Sequence, residues 1–274
     1  GDSKPNRNSL PTYPFAKQRY WIEEMGQSSV GSGQALENRL HPLLHRNTSD
    51  LTGPQFSSTF TGDEFFLSDH VVNGGRVLPG VAYLEMARVA VDKALGVDAQ
   101  HIASLQNIVW AQPVTVGAAP KEINIGLFLE ENGQIAYEIY SDDAVYGQGA
   151  AVLVKAPEKL EAPTLDIEAL KSECDQKTLS ADECYKVFRD TGIDYGPGFQ
   201  GIQEVYAGND KALAKLALPA SVFDSADQYI LHPGMMDSAL QASIGLTVNL
   251  AGGKEKSELE LPFALESLEI FGAT

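Results

Sequence analysis

An alternation of apolar and polar residues between positions 122 and 139 is the feature that most restricts the fold of this chain. Apolar residues take every second position on both sides of Asn132-Gly133, namely Ile123, Ile125, Leu127 and Leu129, then Ile135, Tyr137 and Ile139. A period of two places side chains on alternate faces of a strand, and Asn-Gly favours a tight hairpin turn. The sequence therefore predicts an antiparallel hairpin with one buried face.

Further strands are predicted on both sides of a connector. The segment 157–167 carries Pro157 and Pro163 among charged residues, a composition typical of connections between elements. Apolar runs or alternation predict strands at 149–155 before this connector, and at 202–206, 211–218 and 259–265 after it.

One amphipathic helix is predicted in each half. In the first half, apolar residues recur every three or four positions from 81 to Leu95 and stop at Gly96, a natural C-terminal cap. In the second half, an apolar stripe follows Pro233-Gly234 and consists of Met236, Leu240 and Ile244. Pro79-Gly80 opens the first helix in the same way. Pattern alone thus predicts an α+β fold with two similar antiparallel halves.

Charge and cysteine content restrict the partners. The chain has 20 Lys+Arg against 37 Asp+Glu and a formal net charge of -17, which opposes binding to nucleic acid or to anionic lipid surfaces. No apolar run reaches the roughly 18 residues of a membrane span. Cys174 and Cys184 have acidic neighbours and are expected to be ordinary reduced thiols, with a disulfide between them left open. We therefore expect a cytoplasmic protein.

Three short motifs, far apart in the chain, carry residues suited to chemistry. His70 opens a His-x3-Gly-x4-Pro motif, Tyr195 opens Tyr-Gly-Pro-Gly-Phe, and Asp237 lies four residues before Gln241. In this order the motifs resemble those of the dehydratase domain of modular polyketide synthases, a relative of the fatty acid synthase dehydratase. The resemblance extends from about His41 to the end of the chain.

The resemblance implies a double hotdog, in which each of two tandem halves wraps an antiparallel sheet around a long helix. Residues 1–38 resemble the linker that follows an upstream synthase domain, especially in synthases whose acyltransferase acts in trans. The expected divisions are this linker at 1–38, an N-terminal hotdog with the catalytic histidine at 39–156, the connector at 157–167, and a C-terminal hotdog with the catalytic aspartate at 168–274.

The chemistry suggests one base and one acid. An imidazole is largely a free base near neutral pH, which suits His70 to removing the proton beside a thioester carbonyl. Asp237 can protonate a departing hydroxyl only when its carboxyl is protonated, a state that burial favours. Gln241 lies on the same helical face and is placed to hold that carboxyl. In the resembled family, the histidine and the aspartate of these motifs are the catalytic pair.

Substrate positioning is expected from backbone as well as side chains. The N-terminus of the helix that begins near Gly80 offers N–H groups to the thioester oxygen, and Gly80 would let the substrate approach closely. Pro79 gives this helix a rigid entry, and Gly74 permits a backbone conformation that other residues avoid. Family resemblance adds the motif of Tyr195, which borders the active site. The expected positioning residues are Gln241, Tyr195, Gly80, Gly74, Pro79, Leu78 and Phe199.

The resemblance also implies that no metal or other cofactor is required, because the substrate is carried on the phosphopantetheine of an acyl carrier protein. His41 and His45 lie four residues apart but lack a third ligand, so we expect structural or surface roles for them. The expected partners are the acyl carrier protein with its acyl chain and neighbouring synthase domains, with a homodimer left open.

The expected product is the trans-2-enoyl thioester. Two alternatives stay open: an enoyl isomerase or pyran-forming cyclase on the same scaffold, and a non-catalytic hotdog that binds the carrier protein. Family members that shift double bonds often lose the proline of the first motif or the aspartate of the second, so Pro79 and Asp237 favour dehydration.

Overall fold

The computed structural model describes residues 39–96, 100–155, 162–247 and 262–271. The strands within these ranges are β1 (Arg46–Asn47), β2 (Gln55–Phe60), β3 (His70–Val72), β4 (Gly75–Val77), β5 (Gln100–Trp110), β6 (Thr115–Val116), β7 (Lys121–Leu129), β8 (Ile135–Ser141), β9 (Ala144–Lys155), β10 (Lys177–Ser180), β11 (Ile193–Tyr195), β12 (Ile202–Ala207), β13 (Ala212–Leu216) and β14 (Ala264–Glu269). The α-helices are α1 (Phe65–Ser68), α2 (Gly80–Leu95), α3 (Ile167–Glu173), α4 (Ala181–Asp190), α5 (Pro233–Gln241) and α6 (Ile244–Thr247), and 3₁₀ turns cover Pro197–Phe199 and Ala220–Gln228. The predicted linker at 1–38 lies outside the described residues.

The predicted hairpin is confirmed. β7 and β8 pair antiparallel with Ile125 opposite Ile139, and Gly133 in the turn has a φ of 82°. The alternation buries Ile123, Ile125 and Ile139 completely. Leu129, the last apolar residue of the first strand, is exposed because the strand ends there.

Helix α2 is confirmed and is enclosed by the largest sheet. This sheet has the strand order β1-β2-β7-β8-β9-β5-β14, and α2 packs on β5, β7, β8 and β9. Every residue from Val81 to Val91 is buried, including Glu85 and Arg88. The helix ends at Gly96 with a positive φ of 71°, as its sequence predicts.

The second half contributes a smaller sheet and the helix that bears Asp237. β10, β12 and β13 form the three-stranded sheet, so the predicted strands at 202–206 and 211–218 are confirmed within a few residues. The predicted strand at 259–265 begins only at 264, and residues 259–261 lie outside the described ranges.

The predicted apolar stripe on the second helix is wrong. Leu240 is 40% exposed, and α5 ends at Gln241 before a separate helix begins at Ile244, which is buried. The buried face of α5 is instead largely polar and consists of Pro233, Gly234, Asp237, Ser238 and Gln241. Hydrogen bonding makes this burial tolerable, since Ser238 Oγ donates to the Gly234 carbonyl at 2.7 Å.

The two halves join through paired strands. β11 of the second half pairs with β3 of the first, within a sheet of order β11-β3-β4-β6, and β14 pairs with β5. Of the predicted connector, residues 157–161 lie outside the described ranges, and α3 begins at Ile167. The exact division between the two hotdogs remains a prediction.

Two further expectations concern the whole chain. In the described ranges, no helix combines the length and apolarity needed to cross a membrane. Cys174 and Cys184 are both buried free thiols. Burial, followed by the charge of Glu183, raises the pKa of Cys184 to about 11, so this thiol stays protonated near neutral pH.

Candidate active site

A cavity of about 590 Å³ is lined by residues from both halves. Six of the nine predicted site residues line it: His70, Leu78, Gly80, Tyr195, Asp237 and Gln241. Most of the remaining wall is apolar and includes Phe188, Ile193 and Leu240. The structure therefore brings the base and acid candidates to one largely apolar cavity.

His70 is the first residue of β3 and is held by its backbone surroundings. Its Nδ1 lies 2.8 Å from the carbonyl oxygen of Val77. Because a carbonyl oxygen only accepts, Nδ1 carries the proton in the neutral ring and Nε2 is left as the basic nitrogen. The imidazole also packs against Tyr195 and Phe199, with ring centroids 5.6 and 5.4 Å away.

Asp237 lies on the buried face of α5 and is only 7% exposed. Burial raises the pKa of its carboxyl, while His70 and hydrogen bonds from Gln241 and Tyr195 partly oppose that rise. Because burial outweighs these contacts, the protonated form is favoured at higher pH than for an ordinary aspartate. A protonated carboxyl in this cavity can act as a general acid.

Gln241 orients the Asp237 carboxyl. Its Nε2 donates to Asp237 Oδ2 at 2.8 Å and to the Phe199 carbonyl at 3.1 Å. The Tyr185 hydroxyl, which the sequence analysis missed, lies 3.2 Å from Gln241 Oε1 and accepts from the Ile202 N–H at 3.0 Å. These bonds fix the amide of Gln241 in one orientation.

Tyr195 faces His70 across the strands that join the halves. The two residues are direct partners in the antiparallel pairing of β11 with β3. Burial and then the charge of Asp237 raise the pKa of the Tyr195 hydroxyl well above its ordinary value, so this group is a neutral hydrogen-bonding group. Tyr195 thus contacts both candidate catalytic residues.

Gly80 lines the cavity, and the structure gives a second reason for glycine at this position. A Cβ at Gly80 would lie 3.0 Å from Trp110 Nε1, which donates to the Gly80 carbonyl at 2.8 Å. The indole therefore occupies part of the space beside Gly80, and close approach of the substrate to this residue remains a prediction. Pro79 precedes the helix in an extended conformation and provides no side-chain cap for its first turn.

Three predicted positioning residues do not line the cavity. Gly74 lies in the turn between β3 and β4 with a φ of 80°. A Cβ added at this position would have no neighbouring atom within 4 Å. Pro79 is buried at the start of α2, and Phe199 is fully buried behind His70. Gly74 and Pro79 shape the backbone, and Phe199 packs against His70 while its carbonyl accepts from Gln241.

Two further histidines, His232 and His45, have structural contacts. His232 caps α5, its Nδ1 accepting from the Gly234 N–H at 3.1 Å, and burial lowers its pKa to about 4. His45 accepts from the Thr59 N–H at 3.1 Å. Within the described ranges, no group of three or more His, Cys, Asp or Glu side chains is arranged to hold a metal ion.

Comparison with known proteins identifies two matching family models. One, described as a polyketide synthase dehydratase domain, matches residues 41–142. The other, described as a polyketide synthase dehydratase N-terminal domain, matches residues 162–274. Among curated proteins, polyketide synthase PksM of Bacillus subtilis is 48% identical over 285 residues, which cover 99% of this chain and 6% of the relative. This chain thus corresponds to a small part of such synthases.

Solved structures are similar as well. A trans-AT PKS dehydratase domain from Brevibacillus brevis is 50% identical, with a TM-score of 0.81 over 86% of this chain and 83% of that one. Two mutants of CurK dehydratase give TM-scores of 0.71 and 0.72 at 25% and 26% identity, covering 84% of this chain and 81% and 83% of theirs. One carries a His-to-Phe change and the other an Asp-to-Asn change, and both are described as inactive.

Proposed function

This chain belongs to the polyketide synthase dehydratase domains and has their α+β double hotdog fold, and we propose that His70 and Asp237 perform its reaction. The family reaction is the elimination of water from a 3-hydroxyacyl intermediate in polyketide assembly. The observation that carries the residue assignment is the meeting of these two side chains, distant in sequence, on the wall of one cavity.

His70 acts as the base in this proposal. Its Nε2 removes a proton from C2 of the thioester, and the positive charge that develops on the ring is held by the bond from Nδ1 to the Val77 carbonyl. The electron pair of the broken C–H bond forms the double bond between C2 and C3.

Asp237 acts as the acid. Its protonated carboxyl gives a proton to the C3 hydroxyl as the C–O bond breaks, so that water leaves and a carboxylate remains. The cycle closes when the proton gained by His70 passes to solvent and Asp237 takes one up. Gln241 holds the carboxyl in place through this cycle by its 2.8 Å bond to Oδ2.

The start of α2 is the proposed site for the thioester oxygen. Gly80 lines the cavity, and the first turn of this helix has no side-chain cap from Pro79. The Ala82 N–H donates to the Pro79 carbonyl at 2.9 Å, but the N–H groups of Gly80 and Val81 precede that bond, lack partners within the helix and lie at its positive dipole end. They would stabilise negative charge on the carbonyl oxygen as the C2 proton leaves.

Carrier-bound substrate and partner domains are part of the same proposal. The acyl chain would arrive on the phosphopantetheine of an acyl carrier protein, without a metal or other cofactor. A net charge of -17 opposes contact with an acidic carrier. Covalent linkage of the two domains within one synthase would keep the carrier at a high effective concentration, so strong affinity is not required. Neighbouring synthase domains are therefore proposed partners, while the homodimer and the cytoplasmic location remain predictions.

The inactive CurK mutants support the choice of residue types. They show that a related dehydratase depends on one histidine and one aspartate, the same two residue types that we assign here as base and acid. An isomerase or cyclase could use the same pair, so product identity must distinguish these reactions.

The test is incubation of the purified chain with racemic 3-hydroxyhexanoyl pantetheine thioester, followed by mass spectrometry and product NMR. We expect loss of one water and a trans-2-enoyl product. His70→Ala and Asp237→Asn should each abolish it, whereas Asp194→Asn, a matched change at an exposed position of β11, should not. A moved double bond or no reaction in the wild type would contradict the proposal. Ring closure is tested separately with a substrate that bears a distal hydroxyl.

A further inference from the structure

Asp69 directly precedes His70 and carries a carboxylate that the proposed mechanism does not use. Its Oδ2 accepts a hydrogen bond from the Gly198 N–H at 2.8 Å. Its backbone carbonyl accepts from the Gly196 N–H, also at 2.8 Å. The residue beside the base therefore binds the 3₁₀ turn of the second half at two points.

The packing between Asp69 and this turn is very close. A Cβ on Gly196 would lie 2.6 Å from Asp69 Cγ, and a Cβ on Gly198 would lie 3.1 Å from Asp69 Oδ2. Side chains at these positions would push the turn away from the carboxylate. Asp69 thus accounts for Gly196, and together with Phe65 and Val222 it accounts for Gly198.

The same turn leads to the acid. It ends at Phe199, whose carbonyl accepts from Gln241 Nε2 at 3.1 Å. Gln241 Nε2 also donates to Asp237 Oδ2 at 2.8 Å. Short hydrogen bonds and covalent links therefore run without a break from the residue beside the base to the acid.

We propose that Asp69 is a positioning residue: it fixes the turn at 196–199 so that the Phe199 carbonyl and Gln241 hold Asp237 in place relative to His70. This inference rests on the proposed roles of His70 and Asp237. Asp69 touches no reacting atom, so its removal displaces the acid without deleting it. A misplacement of about 1 Å can cost about 100-fold in rate.

A change in Gln241 should also alter the titration of Asp237. The polar groups that interact with this carboxyl are His70 from β3, Tyr195 from β11, Tyr185 from α4 and Gln241 from α5 itself. Burial raises the pKa of Asp237, and the Gln241 hydrogen bond opposes that rise. Loosening this bond should raise the pKa further, so the protonated acid, and with it kcat, would persist to higher pH.

The experiment compares kcat, KM and the pH dependence of kcat on racemic 3-hydroxyhexanoyl pantetheine thioester. Asp69→Ala should lower kcat by about 10- to 100-fold with little change in KM, and should move the alkaline decline of kcat to higher pH. Asp69→Asn keeps an oxygen that can accept from Gly198 and should stay within about threefold of wild type. Asp63→Ala, at an exposed aspartate six residues earlier, is the matched control and should behave as wild type.

A double-mutant cycle separates positioning from general damage. If Asp69 acts through Gln241, Asp69→Ala should cost little more in a Gln241→Ala background, because the path is already broken. Gly196→Ala disturbs the same contact from the turn rather than from Asp69, and it should also be non-additive with Gln241→Ala. This variant replaces Asp69→Ala in the cycle if Asp69→Ala does not fold. Additive losses, wild-type kcat in Asp69→Ala, or an equal loss in Asp69→Asn would overturn the inference.

One readout does not depend on turnover. An NMR titration of the Asp237 carboxyl should give a higher pKa in Asp69→Ala than in wild type and an unchanged pKa in Asp63→Ala. An unchanged pKa in Asp69→Ala would overturn the inference even if the wild type dehydrates the thioester. Conversely, if Asp69→Ala raises the pKa of Asp237 but the wild type does not dehydrate the thioester, the proposed function fails while the positioning role of Asp69 stands.

Discussion

Glu85 is a buried carboxylate that links the halves, and replacing it should be costly. Its oxygens accept from the Arg88 guanidinium at 2.7 and 2.8 Å and from the N–H groups of Ile230 and Leu231, both at 3.0 Å. These bonds tie α2 to the segment that leads into α5. Glu85→Gln would remove the charge that pairs with the buried Arg88 and leave that guanidinium only its contact with Asp92. It would also place an amide N–H group against the backbone N–H groups of Ile230 and Leu231.

The magnitude follows from the pKa of Glu85. Burial alone raises this pKa, but the hydrogen bonds and charge of Arg88, with the His41 imidazole 3.5 Å away, outweigh burial and lower it from 4.5 to about 2. At about 1.4 kcal/mol per unit, that depression corresponds to roughly 3 kcal/mol of stability. Breaking a buried ion pair costs a similar amount, about 3–5 kcal/mol. Since the folded-state pKa is depressed, this stability is fully present above pH 4.5 and is lost as the pH falls towards 2.

The assay is urea unfolding of wild type and Glu85→Gln between pH 7 and pH 3. We expect a difference in the free energy of unfolding of about 3 kcal/mol at pH 7 that shrinks below pH 4. Glu122→Gln is the matched control, because its 3.0 Å pair with Arg46 is exposed and should contribute at most about 1 kcal/mol. A cost for Glu85→Gln below about 1 kcal/mol at pH 7, or one that grows on acidification, would refute this reasoning.

Three other substitutions test the site and its surroundings. Gly80→Ala places a Cβ 3.0 Å from Trp110 Nε1, so it should shift tryptophan fluorescence and lower kcat by about tenfold. Gly74→Ala, at a φ of 80° with no neighbouring atom, should cost about 1 kcal/mol in urea unfolding but leave kcat unchanged. Equal activity of these two variants would contradict the assignment of Gly80 to the cavity wall. Tyr185→Phe removes the hydroxyl that contacts Gln241 and should lower kcat by about tenfold, and wild-type kcat would show that this contact is dispensable.

Local sequence pattern predicted the elements whose burial follows from their own periodicity. The alternation around Asn132-Gly133 predicted the β7–β8 hairpin, and the three-to-four spacing up to Leu95 predicted α2. In both elements the apolar face meets the core directly, so the sequence of the element alone carries the signal. The three motifs and their order in the chain predicted nine site residues, and six of these line the cavity.

The start of the second helix at Pro233 was predicted, but the face that it buries could not be predicted in this way. Burial of Asp237, Ser238 and Gln241 depends on partners from other segments, such as the Gly201 N–H that donates to Ser238 Oγ at 3.2 Å. An apolar stripe is a poor guide when the buried face is polar and hydrogen-bonded. The role of Tyr185 was missed for the same reason. Its helix did carry a local signal, the Ser-x-x-Glu capping box that begins at Ser180.

The reason for glycine at position 80 also required the structure. Backbone chemistry at the helix start predicted close approach of the substrate, and the structure adds that the indole of Trp110, thirty residues away in the chain, packs beside Gly80. Contacts between distant segments have no local signature, so only the folded chain reveals them.

The most direct test of the central claim is a kinetic cycle of His70→Ala, Asp237→Asn and the double variant on one hydroxyacyl pantetheine thioester. If the imidazole and the carboxyl act together on adjacent carbons of one substrate, each single change should lower kcat by about 100- to 10,000-fold. The double variant should then be no more than a few fold worse than the poorer single variant, because residues that work as a unit are strongly non-additive. Losses that multiply, or wild-type turnover in either single variant, would contradict the account.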